Sequence, residues 1–131
     1  MGNGTGLERA THRIMDIAIT QTDNGYTLVA LRGELRREAS QMLEEKLHPL
    51  IAEKGSAIVI DLTGMPTVDS SGLSQLIGLA THARLSESRV VLFGPTAFVA
   101  GLFELTRLNT WFDIAADEAG AVAMLRTTKA Q

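Results

Sequence analysis

Two short apolar runs constrain this chain more than any other feature: Ala57-Ile58-Val59-Ile60 and Arg89-Val90-Val91-Leu92-Phe93. A strand with one wet face alternates apolar and polar residues, so strands without that alternation must be covered on both faces. Both runs are short and rich in β-branched residues, as strands are and buried helices are not. Each is followed by a stretch with apolar residues at helical spacing. The first runs from about Ser71 to Leu85, with Leu73, Leu76, Ile77 and Ala80 as its predicted core face. The second runs from about Ala97 to Leu105, with Thr96 as its N-cap. Strands alternating with helices imply βαβ crossovers and a mainly parallel sheet.

Ahead of this alternation, Asp16–Thr20 and Tyr26–Arg32 read as strands joined through Asp23-Asn24-Gly25. Asn-Gly between such runs signals a hairpin, because both residues tolerate positive φ. Arg37 to Glu53 reads as a helix with Ala39, Met42, Leu43, Leu47, Leu50 and Ile51 inward and Glu38, Glu44, Glu45 and His48 outward. Pro49 should kink or restart it, since its ring removes one backbone bond. A last strand, Phe112–Ala115, and a helix capped by Asp117 and running to about Arg126 complete the pattern. The expected order is ββαβαβαβα. This is a single α/β domain over residues 14–127, with a mixed, mostly parallel sheet, an N-terminal β-hairpin and about four helices. Residues 1–13 and 128–131 read as flexible tails.

Composition then removes most chemistry. With no cysteine among 131 residues there is no disulfide, thiolate metal site or cysteine nucleophile. His12, His48 and His82 are not spaced as zinc ligands. Twelve basic against 15 acidic residues give a net charge of −3, without the basic stripe that direct nucleic-acid binding requires. Met1 to Arg13 lacks the apolar core of a secretory signal, and Gly6 stands where a myristoylation pattern needs Ser or Thr. No apolar stretch approaches the ~18 residues of a membrane span. The expectation is a cytoplasmic protein, a monomer or weak dimer, with no cofactor, no metal and no membrane insertion.

What remains is the segment Asp61-Leu62-Thr63-Gly64-Met65-Pro66-Thr67-Val68-Asp69-Ser70-Ser71-Gly72-Leu73. It leads from a buried strand into a helix, and sites in open parallel sheets lie at the carboxyl ends of strands. Asp69 and Ser70 occupy the N-cap region, where either oxygen can accept a free amide of the first turn, with Gly72 for close packing. The same unpaired amides and dipole would equally stabilise a phosphate on serine. That group carries roughly −1.5 to −2 charges at neutral pH and would repel an acidic or apolar partner, an off-switch for binding. No Lys or Arg lies between Lys54 and Arg84 to neutralise it locally. Catalysis has little behind it here. Asp-Ser-Ser-Gly is not a nucleophile elbow. His82 is about 16 Å along a helix from Ser71, too far to act as its base. Asp61 and Asp69 suit turn and cap bonding better than an acid–base pair. No phosphate-binding loop motif occurs.

At these residues the sequence resembles the STAS domain of bacterial anti-sigma factor antagonists. The resemblance rests on Leu31-Arg32-Gly33-Glu34-Leu35, Val59-Ile60-Asp61-Leu62-Thr63 and Val68-Asp69-Ser70-Ser71-Gly72-Leu73, and on the stretch Leu102 to Phe112. It implies a partner-switching protein. In the family the first serine after the aspartate, here Ser70, is phosphorylated by a GHKL-type serine kinase that is also the anti-sigma factor. The unphosphorylated form binds that kinase and frees its sigma factor, and a PP2C-type serine phosphatase reverses the modification. The chain would be substrate and ligand, not enzyme. A second role the resemblance allows is an accessory STAS subunit gripping the ATPase of an ABC-type lipid transport system; Ser70 favours the first. A small hydrolase would need turnover that Ser70→Ala abolishes.

The resemblance also places the switch loop at Asp69, Ser71 and Gly72, and partner contacts at Glu34, Arg36, Ser74, Gln75, Gly78 and Thr81. Gly78 reads equally as a packing glycine. Arg36, followed by Arg37, stands where the family usually has Asp. Either the switch is rewired, with Arg36 pairing with phosphorylated Ser70 or selecting a more acidic kinase surface, or this is a solvated charge swap. The family's Thr-Gly-Leu turn has become Thr106-Arg107-Leu108, with Asn109 available for positive φ. Phe98, Val99, Leu102, Phe103 and Leu105 cannot all face one core, so some are exposed or covered by Trp111-Phe112. Met42, Met65 and Met124 read as packing residues.

Overall fold

Strands form where the apolar runs demanded them. In the computed structural model, which describes residues 15–128, the elements are β1 (Met15–Gln21), β2 (Thr27–Gly33), α1 (Ser40–Ala52), β3 (Ala57–Gly64) and α2 (Ser70–Leu85). They continue with β4 (Arg89–Phe93), α3 (Ala97–Leu105), β5 (Asp113–Ala115) and α4 (Glu118–Thr128). Short 3-10 turns at Arg37–Ala39 and Leu108–Thr110 precede α1 and β5. The tails expected at 1–13 and 128–131 lie outside the described residues, apart from Thr128, which closes α4.

The five strands lie in chain order, β1-β2-β3-β4-β5. β1 and β2 are antiparallel, and every later pair is parallel. Crossovers of one hand that step the same way across a sheet put their helices on one face. Accordingly α1, α2 and α3 share one core with Val29, Leu31, Ile58, Ile60, Leu62 and Leu92. Among the described residues only α4, with no strand to follow, covers the other face, where Ala121 and Leu125 meet Val59, Val91 and Phe93. Ile58, Val59 and Ile60 are all buried, so the run is covered on both faces. Tyr26 ties the hairpin to the second layer: its hydroxyl donates to Glu118 Oε2 at 2.6 Å. That bond, then burial and the Glu118 charge, hold the phenol above its usual pKa of 10.0.

Several expectations need correction. The hairpin turn uses positive φ only at Gly25 (φ 86), because Thr22 closes the loop by bonding Tyr26 and leaves Asn24 right-handed or extended. Pro49 does not restart α1, which runs through it; Pro49 is exposed, so water can satisfy the one carbonyl its ring frees. β3 reaches Gly64 rather than ending at Ile60. Its register against β2 shifts between Ala30 and Arg32, and Asp61 Oδ1 accepts from both the amide and the hydroxyl of Thr63 across this irregularity. On α2 the buried residues are Gly72, Leu76, Leu79, Ala80 and Ala83, while Leu73 and Ile77 are half-buried at the rim.

After α3, the left-handed residue is Arg107 (φ 62), and Asn109 sits inside the 3-10 turn. Thr106 closes the helix, so the next position must turn left-handed, and that position is occupied by an arginine where a glycine is cheapest. Thr96 caps α3 as expected, accepting from the Val99 amide at 3.2 Å. Of its apolar residues, Val99 and Phe103 are buried, whereas Phe98 and Leu105 remain exposed. Trp111 does not cover them: it lies against the Arg84 guanidinium, 4.9 Å from ring centroid to Cζ. Met65 is fully buried, and Met42 and Met124 half-buried, as packing residues should be.

Candidate functional site

The segment from Met65 to Asp69 leaves the carboxyl end of β3 and enters α2. Met65 is buried and its amide bonds the Leu62 carbonyl, which anchors the start of the loop. Val68 then forms a parallel bridge with Leu35, so Arg36 and Asp69 are the next residues along two adjacent extended segments. Asp69 is extended (φ −99, ψ −176), and its Oδ1 accepts from the Gly72 amide at 2.8 Å. Its carbonyl takes the first helical bond, from Leu73 at 2.9 Å. Asp69 therefore supplies the cap without Ser70.

Gly72 explains how the loop is held. A Cβ there would overlap the Leu35 carbonyl oxygen and Val68 Cγ2, so the first turn of α2 lies directly on the Leu35 segment. Ser70, at the first helical position, is exposed, and its hydroxyl has no hydrogen-bond partner among the described residues. Ser71 is half-buried. The Ser70 and Ser71 amides belong to the unpaired donors of a helix start, so an added anion would meet both free N–H groups and the positive dipole end. The Thr96 hydroxyl that caps α3 also approaches the Pro66 carbonyl, at 3.4 Å, which ties the start of α3 to this loop.

Arg36 pairs with Glu34, and about half of its side chain is exposed. Its carbonyl accepts from Gln75 Nε2 at 2.9 Å, which ties the segment after β2 to the second turn of α2. Glu34, Arg36 and Gln75 are thus gathered beside Asp69 and Ser70. Ser74, Gly78 and Thr81 follow on exposed positions of α2, and Thr81 bonds back to the Ile77 carbonyl at 3.1 Å. Gly78 has nothing within 4 Å of where a Cβ would stand, so packing does not account for it. Both aspartates once considered as an acid–base pair are engaged with backbone amides, Asp61 in β3 and Asp69 in the cap. Among the described residues no three His, Asp or Glu side chains are grouped to hold a metal ion.

The sequence reading missed a contact between distant residues: His48 on α1 lies beside His82 on α2, with ring centroids 4.2 Å apart. No local pattern announces it, because it follows from how the two helices cross the sheet.

The family model for the STAS domain matches residues 17–121. The chain belongs to the STAS-domain family. The anti-sigma-B factor antagonist of Listeria monocytogenes is 29% identical over 100 residues, covering 76% of this chain and 88% of that protein. The anti-sigma-B factor antagonist of Bacillus subtilis is 29% identical over 108 residues, 82% of this chain and 97% of that protein. Among solved structures, the anti-sigma factor antagonist SpoIIAA in its unphosphorylated form superposes on this STAS domain with a TM-score of 0.70. It is 21% identical, and the match spans 86% of this chain and 97% of that one. No described helix of the domain is long and apolar enough to cross a membrane.

Proposed function

We propose that this STAS domain is an anti-sigma factor antagonist whose binding is switched by phosphorylation of Ser70. The observation that carries the reading is the division of labour at the start of α2: Asp69 caps the helix, while Ser70 is exposed and free of any structural bond. The named relatives are antagonists of anti-sigma factors, which favours this role over that of an accessory subunit of a lipid transporter. The unphosphorylated domain docks on a GHKL-type anti-sigma kinase through the loop Asp69–Gly72, the exposed side of α2, and Glu34 and Arg36. The domain is the substrate in this exchange, and a PP2C-type phosphatase resets it.

Phosphate on Ser70 adds roughly −1.5 to −2 charges at a helix start that accommodates them, so the fold survives while the docking surface becomes markedly more negative. Arg36 lies beside Asp69 in register and can exchange Glu34 for the phosphate, a charge-assisted pairing stronger than an exposed ion pair. The test is intact mass and binding after incubation with the cognate kinase and ATP. One phosphate at Ser70, with loss of kinase binding, supports the reading. Ser70→Ala should bind constitutively, and Arg36→Asp should alter affinity or phosphorylation rate. Modification elsewhere, or unchanged binding after modification of Ser70, overturns the switch.

A further inference from the structure

β1 is an edge strand whose outer side is open. Among the described residues it pairs only with β2, along all 7 of its residues and with no shift of register. The hairpin decides which backbone groups point outward. The Thr22 amide bonds the Tyr26 carbonyl, so these two form a hydrogen-bonded pair in line with the ladder. Such pairs alternate along antiparallel strands. Asp16, Ala18 and Thr20 therefore bond towards β2, while Met15, Ile17, Ile19 and Gln21 turn their amides and carbonyls away from it. A row of this kind is a template for another strand, and natural edges are guarded by Lys, Pro, bulges or shortness. The opposite edge is guarded in that way, since β5 has only 3 residues. β1 is longer, holds no Lys, Pro or bulge, and is exposed at every residue from Ala18 onward.

We propose that β1 pairs antiparallel with β1 of a second copy of this chain, about a two-fold axis at Ala18. The inference goes beyond the Ser70 switch and does not rest on it. When the whole strand is shared, the outward groups bond Met15 to Gln21 of the second copy and Ile17 to Ile19 of the second copy. Ala18 then meets its own counterpart at a position without hydrogen bonds. The side chains suit this register. Asp16 falls opposite Thr20 of the second copy, so no like charges are opposed. Ile17 and Ile19 stand on the face that carries α1, α2 and α3, where Ile17 already packs on the core and Ile19 is exposed. Each isoleucine would cover the other. A contact of this symmetry closes at two copies and does not propagate. One strand on each side is a small interface, so the dimer is weak and concentration-dependent. β1 starts beside Gly33, at the end of the sheet where Leu35 bridges Val68. The antiparallel arrangement therefore carries the two Ser70 loops to opposite ends and leaves both open.

The chain has no cysteine, so a single thiol introduced into the full-length protein reports the register directly. Across a pair without hydrogen bonds the Cα atoms are about 4.5 Å apart, within reach of a disulfide. Ala18→Cys should oxidise to a covalent dimer at least about tenfold faster than Thr20→Cys, whose two thiols would stand about 14 Å apart along the strands. Both positions are exposed, so chance collisions would link the two variants equally. In sedimentation equilibrium Ala18→Asp, which sets two carboxylates against each other at the axis, should dimerise about fivefold more weakly than wild type. Mixing it with Ala18→Lys should restore the dimer, which also shows that both variants are folded. Equal oxidation of the two thiol variants, no covalent dimer from Ala18→Cys, or an Ala18→Asp protein that dimerises like wild type overturns the proposal. Residues 1–14 lying along β1, or an edge reserved for a strand of another protein, would give the second of these results. No kinase enters these measurements, so their failure leaves the phosphorylation assay untouched.

Discussion

Two helices in this domain begin in the same way and end up with different work. α2 opens Asp69-Ser70-Ser71-Gly72, and α4 is preceded by Asp117 and opens Glu118-Ala119-Gly120. In both, the aspartate Oδ1 accepts from the amide of the glycine three residues on, at 2.8 Å. The difference lies in what surrounds the cap. At α4 the first helical residue, Glu118, is bonded to Tyr26 across the second core, so the helix start holds the hairpin to the sheet. At α2 the first helical residue is Ser70, which holds nothing; the anchoring is done instead by Gly72 pressed on Leu35. A helix start whose leading side chain is released from structural duty is free for chemistry done by another protein.

The largest effect that would break this comparison is at the two glycines. Gly72→Ala should destabilise the domain by about 3 kcal/mol, because its Cβ would overlap a backbone oxygen that cannot rotate away. At Gly120 the neighbours are Asp117 Oδ1 at 3.2 Å and Ala115 Cβ at 3.3 Å. They yield by a few tenths of an ångström, and alanine's helix propensity returns up to about 1 kcal/mol. Gly120→Ala should therefore change stability by no more than about 1 kcal/mol in either direction. Urea unfolding of both variants checks this, and equal losses would remove the distinction between an anchored and an open helix start.

Next in size are the caps themselves. Asp69→Ala and Asp117→Ala should each cost about 1 kcal/mol, since each removes one bond of the same length to one amide. Their equality is the sharper part of the prediction. A much larger loss at Asp69 would mean that the carboxylate supports the loop in ways beyond capping, and Ser70 would no longer be the separable element.

How much of this was legible beforehand depended on whether the information was local. β4 and α3 match their expected bounds to the residue, because Gly94-Pro95 and Thr96 punctuate the chain where one ends and the other begins. The last four residues of β3 read as loop because Asp61, Thr63 and Gly64 interrupt the apolar run; only the register shift against β2 explains how such residues stay in a strand. Leu79 and Ala83 were missed because α2 carries apolar residues on several sides, which blurs its period. The Asp69–Ser70 site is a cap signature and could be read directly. Its flanking by Arg36 could not, since it depends on the Leu35–Val68 bridge, and the His48–His82 pair likewise follows from helix placement.

The smallest effect separates the two leading side chains most cleanly. Tyr26→Phe removes the bond to Glu118 and should cost about 1 kcal/mol near neutral pH. That loss should itself depend on pH. The fold raises the pKa of the Tyr26 hydroxyl above 10.0, chiefly through the Glu118 bond, and so stabilises the neutral phenol. Its contribution is fully present below the unfolded value and is lost as pH rises through the folded one. The stability gap between wild type and Tyr26→Phe should therefore be constant around neutrality and close above pH 10.0. Ser70→Ala is the counterpart at α2: with Asp69 supplying the cap, it should shift stability by no more than about 0.5 kcal/mol at any of these pH values. Unfolding curves for both variants across the alkaline range decide the matter. A pH-independent gap would show that the phenol bond is not what fastens the hairpin to α4. A sizeable loss at Ser70 would show that its hydroxyl serves the fold, leaving it a poor place to put a phosphate.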